Sequence, residues 1–258
     1  TYVTALDNLA SLLSMQGDVV AATNVICASL KLQQTQKAQR IFVEIIRNGR
    51  WLEDNDTIRS LMVRALTEPW GRPSDLAQAG AALLKLDTHI GPCIAKAVTA
   101  WPNYLSAPEL YEAEGPAALL DNPVLCALLK SAQNPDLEIE RFLTAARRLL
   151  LEAAIGAAGG EEDEALSFYS ALAQQCFINE YVFLQSEEEG RQVDELCARL
   201  TAALEAHLAT CAACRAPGTS TRWRGRGSRW SSPSIRRWLP PRPTSRPRRM
   251  PRQHHPRR

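Results

Sequence analysis

Lysine, aspartate and glutamate are missing altogether from the last 44 of the chain's 258 residues. Residues 215–258 hold fourteen Arg, eight of the sixteen Pro and only seven apolar residues (Ala216, Trp223, Trp230, Ile235, Trp238, Leu239 and Met250). So few apolar groups do not offset the entropy of ordering such a segment, and residues 211–258 are expected to form a disordered Arg/Pro-rich basic tail. Nowhere does an apolar run reach the ~18 residues that a helical membrane span needs. The richest stretch, 149–158, is interrupted by Glu152 and followed by Gly159-Gly160. Strand-type alternation of period two is nearly absent, so a sheet has little to build from. The seven cysteines are odd in number and scattered through apolar segments, which excludes a secreted disulfide framework. With no charged-then-apolar leader after Thr1, the expected location is the cytoplasm. Because Thr1 is not Met, the expectation is a fragment, or a gene product whose true start lies upstream. Serine-elbow, HExxH and P-loop signatures are missing too.

What remains is an acidic, Ala/Leu-rich body. Residues 1–214 carry sixteen basic and twenty-eight acidic side chains, a net of −12, and the tail adds +14. The whole-chain charge of +2 is therefore a cancellation. The body is about half apolar, enough for a core. Gly, Pro, Asn and Asp divide it into helix-length segments. Helices are expected over 3–15, 19–32, 37–47, 56–67 (capped by the run Asp54-Asn55-Asp56), 74–85 (capped by Ser74), 89–100, 106–112, 123–132, 136–155, 164–185 and 188–210. In the longest three, Leu137, Phe142, Ala145, Leu149 and Ala153 make one stripe, and Val193, Leu196, Leu200, Leu204 and Leu208 make another. Residues 168–184 are apolar nearly all round. The expected fold is all-α: a helical hairpin followed by an α-helical solenoid or bundle, with domains at 1–36 and 37–210 and the tail at 211–258.

The hairpin at 3–36 has an ordered pattern. Leu9, Ala10, Leu13, Gly17, Ala22, Ile26 and Ser29 alternate large and small residues around a glycine turn. Small residues at 10 and 22 let two helices approach, Gly17 makes the turn, and the large residues are expected to fill the groove. The string from Ala5 to Asp18 resembles the tetratricopeptide (TPR) repeat, although Leu6 stands where that family usually has Trp or another large residue and no Pro closes the unit. The next 34 residues fit the pattern poorly. A solenoid needs about three repeats or more, so this unit is expected to be the last of an array.

Within 168–184, Asn179 and Glu180 sit between Phe177-Ile178 and Tyr181-Val182-Phe183. A carboxylate buried there needs a partner or a proton. Its two readings are a tie between neighbouring helix ends and a ligand or catalytic role. Three strings, 66–73 (LTEPWGRP), 135–148 (PDLEIERFLTAARR) and 174–183 (QQCFINEYVF), look like those of bacterial TPR proteins that also carry a class I S-adenosylmethionine-dependent methyltransferase domain. The resemblance spans roughly residues 1–210 and makes Phe177, Asn179, Glu180 and Tyr181 a family motif of unknown role. It implies S-adenosylmethionine as the parent family's cofactor. No strand followed by a glycine-rich turn and a helix stands in this sequence, and Arg224-Gly-Arg-Gly-Ser228 follows no strand. No cofactor, metal or catalytic residue is therefore expected in this chain.

The tail has three readings: a nucleic-acid arm of Arg with Trp223, Trp230 and Trp238, an out-of-frame translation of a GC-rich gene, and a nonspecific linker. Its charge would also suit acidic lipid surfaces. Cys211 and Cys214, with His207 or with His254-His255, give only half of a zinc pattern. The function expected is a TPR-type interaction or scaffold region of a methyltransferase-like protein, not itself catalytic, with a protein or peptide partner. The alternatives are S-adenosylmethionine-dependent methyl transfer by family membership, and nucleic-acid binding through the tail.

Overall fold

In the computed structural model, residues 2–49, 54–111, 116, 122–156, 166–180 and 183–210 are described. The tail, with Cys211, Cys214, His254 and His255, lies outside them, as does Tyr181. The described residues form helices and connecting turns without a strand, so the fold class is all-α. Among the described residues eleven helices follow in order: α1 (Tyr2–Met15), α2 (Val19–Leu32), α3 (Gln36–Asn48), α4 (Asp56–Thr67), α5 (Pro73–Lys85), α6 (Ile90–Ala100), α7 (Ala107–Tyr111), α8 (Pro123–Ser131), α9 (Leu137–Gly156), α10 (Leu166–Ile178) and α11 (Glu187–Thr210). The chain divides into two compact units, Thr1–Leu196 and Cys197–Arg258. The described part of the second, residues 197–210, is exposed throughout. No helix among the described residues is long and apolar enough to cross a membrane.

Local chemistry sets most helix starts. Asp18 accepts a hydrogen bond from the Ala21 amide at the head of α2, and Thr35 does the same for Ala38 in α3. Asn55 caps α4 through Ile58, and Asn122 caps α8 through Leu125. Each occupies an N–H that the first helical turn leaves unpaired. Helix α5 corrects an expectation: Pro73 is its first helical residue and Arg72 precedes it without a side-chain cap, so Ser74 lies inside the helix. Proline suits that position, because its missing N–H would have had no intrahelical acceptor.

Helices α1 and α2 pack as a hairpin, and α3 rests against both. Helix α5 touches α3, α4, α6 and α8; α9 packs on α6, and α10 on α8. Ile41, Phe42, Ile45 and Ile46 of α3 point inward at helical spacing while Arg40, Glu44 and Arg47 face solvent. The Phe42 ring meets Trp70 edge-on at 5.9 Å. One apolar core runs on through Phe142 of α9 to Phe168 and Leu172 of α10. On α9 the buried face is Ile139, Phe142, Ala146 and Leu149, whereas Leu137 and Ala153 are exposed, so the expected stripe is right only in its middle. The stripe on α11 leaves Val193, Leu200, Leu204 and Leu208 exposed.

Candidate functional site

In the α1–α2 hairpin, Ala10, Ala22, Ile26 and Ser29 are fully buried. Gly17 adopts a left-handed φ of 84° at the turn, a conformation that costs glycine least. Across the buried seam, the Ser29 hydroxyl donates to the Asp7 carboxylate at 2.6 Å. Leu13 packs partly against the core. Leu9 does not fill the groove: it is 45% exposed, alongside Tyr2 at 73%, Leu12 at 56% and Met15 at 85%. The physical reason is the width of the apolar arc. Residues 10, 3 and 7 face α2, while Tyr2, Ala5, Leu9 and Leu12, spaced by three and four, lie around the other side of the helix.

The strings that resembled a family fall on three structural joints. In the first, Glu68 accepts from the Arg64 guanidinium at 2.7 and 2.9 Å and from the Trp70 indole N–H at 2.8 Å. Arg64 also lies 5.1 Å from the centre of the Trp70 ring, so the turn from α4 to α5 is closed by charge and stacking. In the second, Asp136 caps α9 by accepting from the Glu138 and Ile139 amides, at 3.0 and 3.1 Å, and pairs with Lys85 at 2.7 Å.

The third joint corrects the reading of residues 168–184. Helix α10 ends at Ile178 rather than at 185, and Glu180 takes a left-handed φ of 54° with its N–H on the Phe177 carbonyl. The left-handed residue turns the chain out of the helix, so Glu180 is exposed, and Phe177 is 67% exposed. No buried carboxylate therefore stands at 180. The buried polar residue is Gln175, one turn earlier and 3% exposed. In the amide orientation that satisfies its neighbours, its nitrogen donates to the Ala132 and Leu129 carbonyls at 2.9 and 3.3 Å, and its oxygen accepts from the Asn134 amide at 3.3 Å. In the same orientation Asn179, spaced by four from Gln175, donates its side-chain nitrogen to the Gln175 oxygen at 3.3 Å.

Around this joint lies a cavity of ≈ 30 Å³ lined by Asn134, Thr144, Arg147, Gln175, Cys176 and Asn179 among others. That volume admits one or two waters. Arg147 closes one side. Its guanidinium donates to the Leu184 carbonyl at 2.5 Å and to Glu189 at 3.1 Å, and lies 4.3 Å from the centre of the Phe183 ring. Glu189 is buried and forms a reciprocal cap with Ser186 at the start of α11. Burial pushes the Cys176 thiol above its ordinary range, with Arg147 opposing, so at neutral pH it is not a thiolate nucleophile.

A second polar centre was not anticipated. Asp87 is buried and accepts from the His89 and Ile90 amides at 2.9 Å each, from Asn122 at 2.9 Å and from Arg59 at 2.6 Å. Arg59 in turn grips Asp54 at 2.6 and 2.7 Å. Burial alone would raise the Asp87 carboxyl, but the Ile90 and His89 amides and the Arg59 guanidinium outweigh it and hold it below the usual carboxylate range. Beside it a groove of ≈ 470 Å³ is lined by Asp56, Arg59, Ser60, Val63, Arg64 and Pro123. Its two arginines already serve Asp54, Asp87 and Glu68.

The cavity is too small for a nucleoside, the arginines of the groove are occupied by carboxylates, and no strand among the described residues leads into a phosphate- or nucleoside-binding turn. Among the described residues no group of His, Cys, Asp and Glu is placed to hold a metal ion. Compared with protein-family models, curated proteins and solved structures, the chain matches none.

Proposed function

We propose that this chain is a TPR-type protein-interaction region, similar in kind to the helical part of TPR-linked methyltransferases, and that it works through a helix surface rather than by catalysis. One observation carries the reading: α1 buries its small-residue face against α2 and leaves Tyr2, Leu9, Leu12 and Met15 uncovered on the other. Monomeric proteins seldom leave large apolar groups clustered in water unless something covers them. The polar groups inside the body point the same way. Asp87, Asp136, Gln175 and Glu189 are spent on helix ends and helix-to-helix ties, not aimed at a vacant reaction centre.

The test is site-specific photo-crosslinking of the full chain in cells. A benzophenone side chain at Leu12 is expected to give polypeptide adducts that disappear when Leu9 is changed to Glu. The same probe at Glu44, an exposed polar site on α3, is expected to give none of them. Identical adducts from both positions would overturn the proposal.

A further inference from the structure

We infer that residues 183–196, the strap that leads into α11 and forms its first turns, are a two-state latch on the helical body. The latch is closed while Arg147 holds Glu189, and it opens when Arg147 turns instead to Glu140, a carboxylate lining the same cavity. Nothing in this depends on what covers α1.

Three observations carry it. The first is how little apolar surface docks the strap. Of the 24 residues of α11 only Glu189 is buried, and α11 makes no extended packing with another helix. Val193 is exposed and Leu196 only half-buried, whereas α3 buries Ile41, Phe42, Ile45 and Ile46 together. Apolar burial holds a helix over its whole contact area; an ion pair holds it at one point.

The second is that one side chain makes the hold and has another carboxylate to go to. The Arg147 guanidinium takes the Leu184 carbonyl, Glu189 and the Phe183 ring together. Glu140 stands seven residues earlier on α9, two helical turns along the same face, and borders the same cavity. Its carboxylate has no hydrogen-bond or ion-pair partner among the described residues. Breaking a buried ion pair is costly because it strands a charge. In this latch neither charge is stranded: Arg147 turns to Glu140, and Glu189 leaves with the strap into water. Two carboxylates beside one guanidinium also repel each other in the closed state.

The third is a polar group that the closed state leaves unpaired. The Gln192 side-chain oxygen is buried without a hydrogen-bond partner among the described residues. Opening returns that oxygen to water, which supplies the donor. The reciprocal Ser186–Glu189 cap lies wholly within the strap, so α11 keeps its start as it lifts.

Double electron–electron resonance on the full chain tests this, with genetically encoded spin labels at the exposed Ala153 of α9 and the exposed Asp194 of α11. The unmodified chain is expected to give a main population at the closed distance and a smaller, broader open one. Glu189→Gln keeps the cap, since glutamine serves in that place, and removes the charge that Arg147 grips. It is expected to raise the ratio of open to closed at least about tenfold. Glu140→Gln removes the competing carboxylate and is expected to lower that ratio about two- to fivefold. An ion pair with a merely structural role would not respond to Glu140→Gln. A single distance population unmoved by Glu189→Gln overturns the inference, as does a Glu140→Gln variant whose ratio is unchanged or higher. Glu140 is half-buried and unpaired, so its variant keeps the parent's helical circular dichroism and decides the matter even if Glu189→Gln loses it.

Discussion

Changing Asp87 to Asn removes one charge and no volume, and its effect follows from where the four donors sit. One carboxylate oxygen receives the His89 and Ile90 amides at the start of α6; the other receives Arg59 and the Asn122 amide nitrogen. An asparagine keeps one acceptor oxygen. It can continue to cap α6, but its NH₂ then faces the Arg59 and Asn122 donors. A helix cap contributes about 1 kcal/mol, and hydrogen bonds to a charged group about 1.5–3 kcal/mol. Losing the Arg59 and Asn122 contacts while keeping the cap should therefore cost about 2–4 kcal/mol. Arg59 retains Asp54, which keeps the loss below that of a fully orphaned ion pair. Urea unfolding of the full chain measures it as a lower midpoint at unchanged slope. A pH series adds an independent readout. The carboxyls of Asp87 and Asp136 are held below their ordinary value in the folded state. Their contribution is present above about pH 4, the unfolded carboxyl value, and is lost as pH falls through the lower folded value. The unmodified chain should lose stability over that acid window, and Asp87→Asn should lose less of it because no carboxyl at position 87 is left to titrate there. A variant within about 0.5 kcal/mol of the parent at pH 7, an effect no larger than that of an ordinary surface substitution, would refute the account of Asp87 as the joint of α4, α6 and α8.

Two glycines separate crowding from backbone strain. A Cβ at Gly91 would sit 2.5 Å from the Lys85 carbonyl oxygen, so Gly91→Ala should destabilise by about 1–3 kcal/mol through forced movement of the α5–α6 turn. At Gly17 nothing lies within 4 Å, and Gly17→Ala should cost only the left-handed backbone penalty of about 1 kcal/mol; thermal unfolding ranks the two. Because Glu180 holds a left-handed φ without a glycine's freedom, Glu180→Gly should stabilise the chain by about 0.5 kcal/mol, and a lower urea midpoint would count against that reading of the α10 terminus.

Features legible from the sequence were those closed within a few residues. Asn55 beside Ile58 and Asp136 beside Ile139 are donor–acceptor pairs three apart, so residue type and order suffice to place them. Asp87 meets Arg59 and Asn122 across 28 and 35 positions, and Arg147 meets Glu189 across 42; no local pattern announces such pairs. Residues 168–184 failed for a different reason. Their apolar content reads as a continuing helix, but a single left-handed residue ended it, and Glu is not a residue type that signals that conformation. Gln175 does leave a trace in the sequence, standing four positions before Asn179 on the same helix face. On α1, the alternation of large and small residues puts Leu9 in the groove with Leu13, and only the packing of α2 shows that Leu9 lies on the uncovered side.

The amide of Gln175 has a consequence for how the chain breathes. The Leu129 and Ala132 carbonyls at the end of α8 find their donor not in the next turn of backbone but in a side chain that arrives with α10, more than forty residues later. When α10 lifts away, the end of α8 loses its lid as well, and the two must open as one cooperative unit rather than fray separately. Native-state hydrogen exchange would record this as a shared opening free energy for amides in the last turn of α8 and in the middle of α10. An ordinary helix terminus in the same body, such as the end of α2, would exchange on its own schedule.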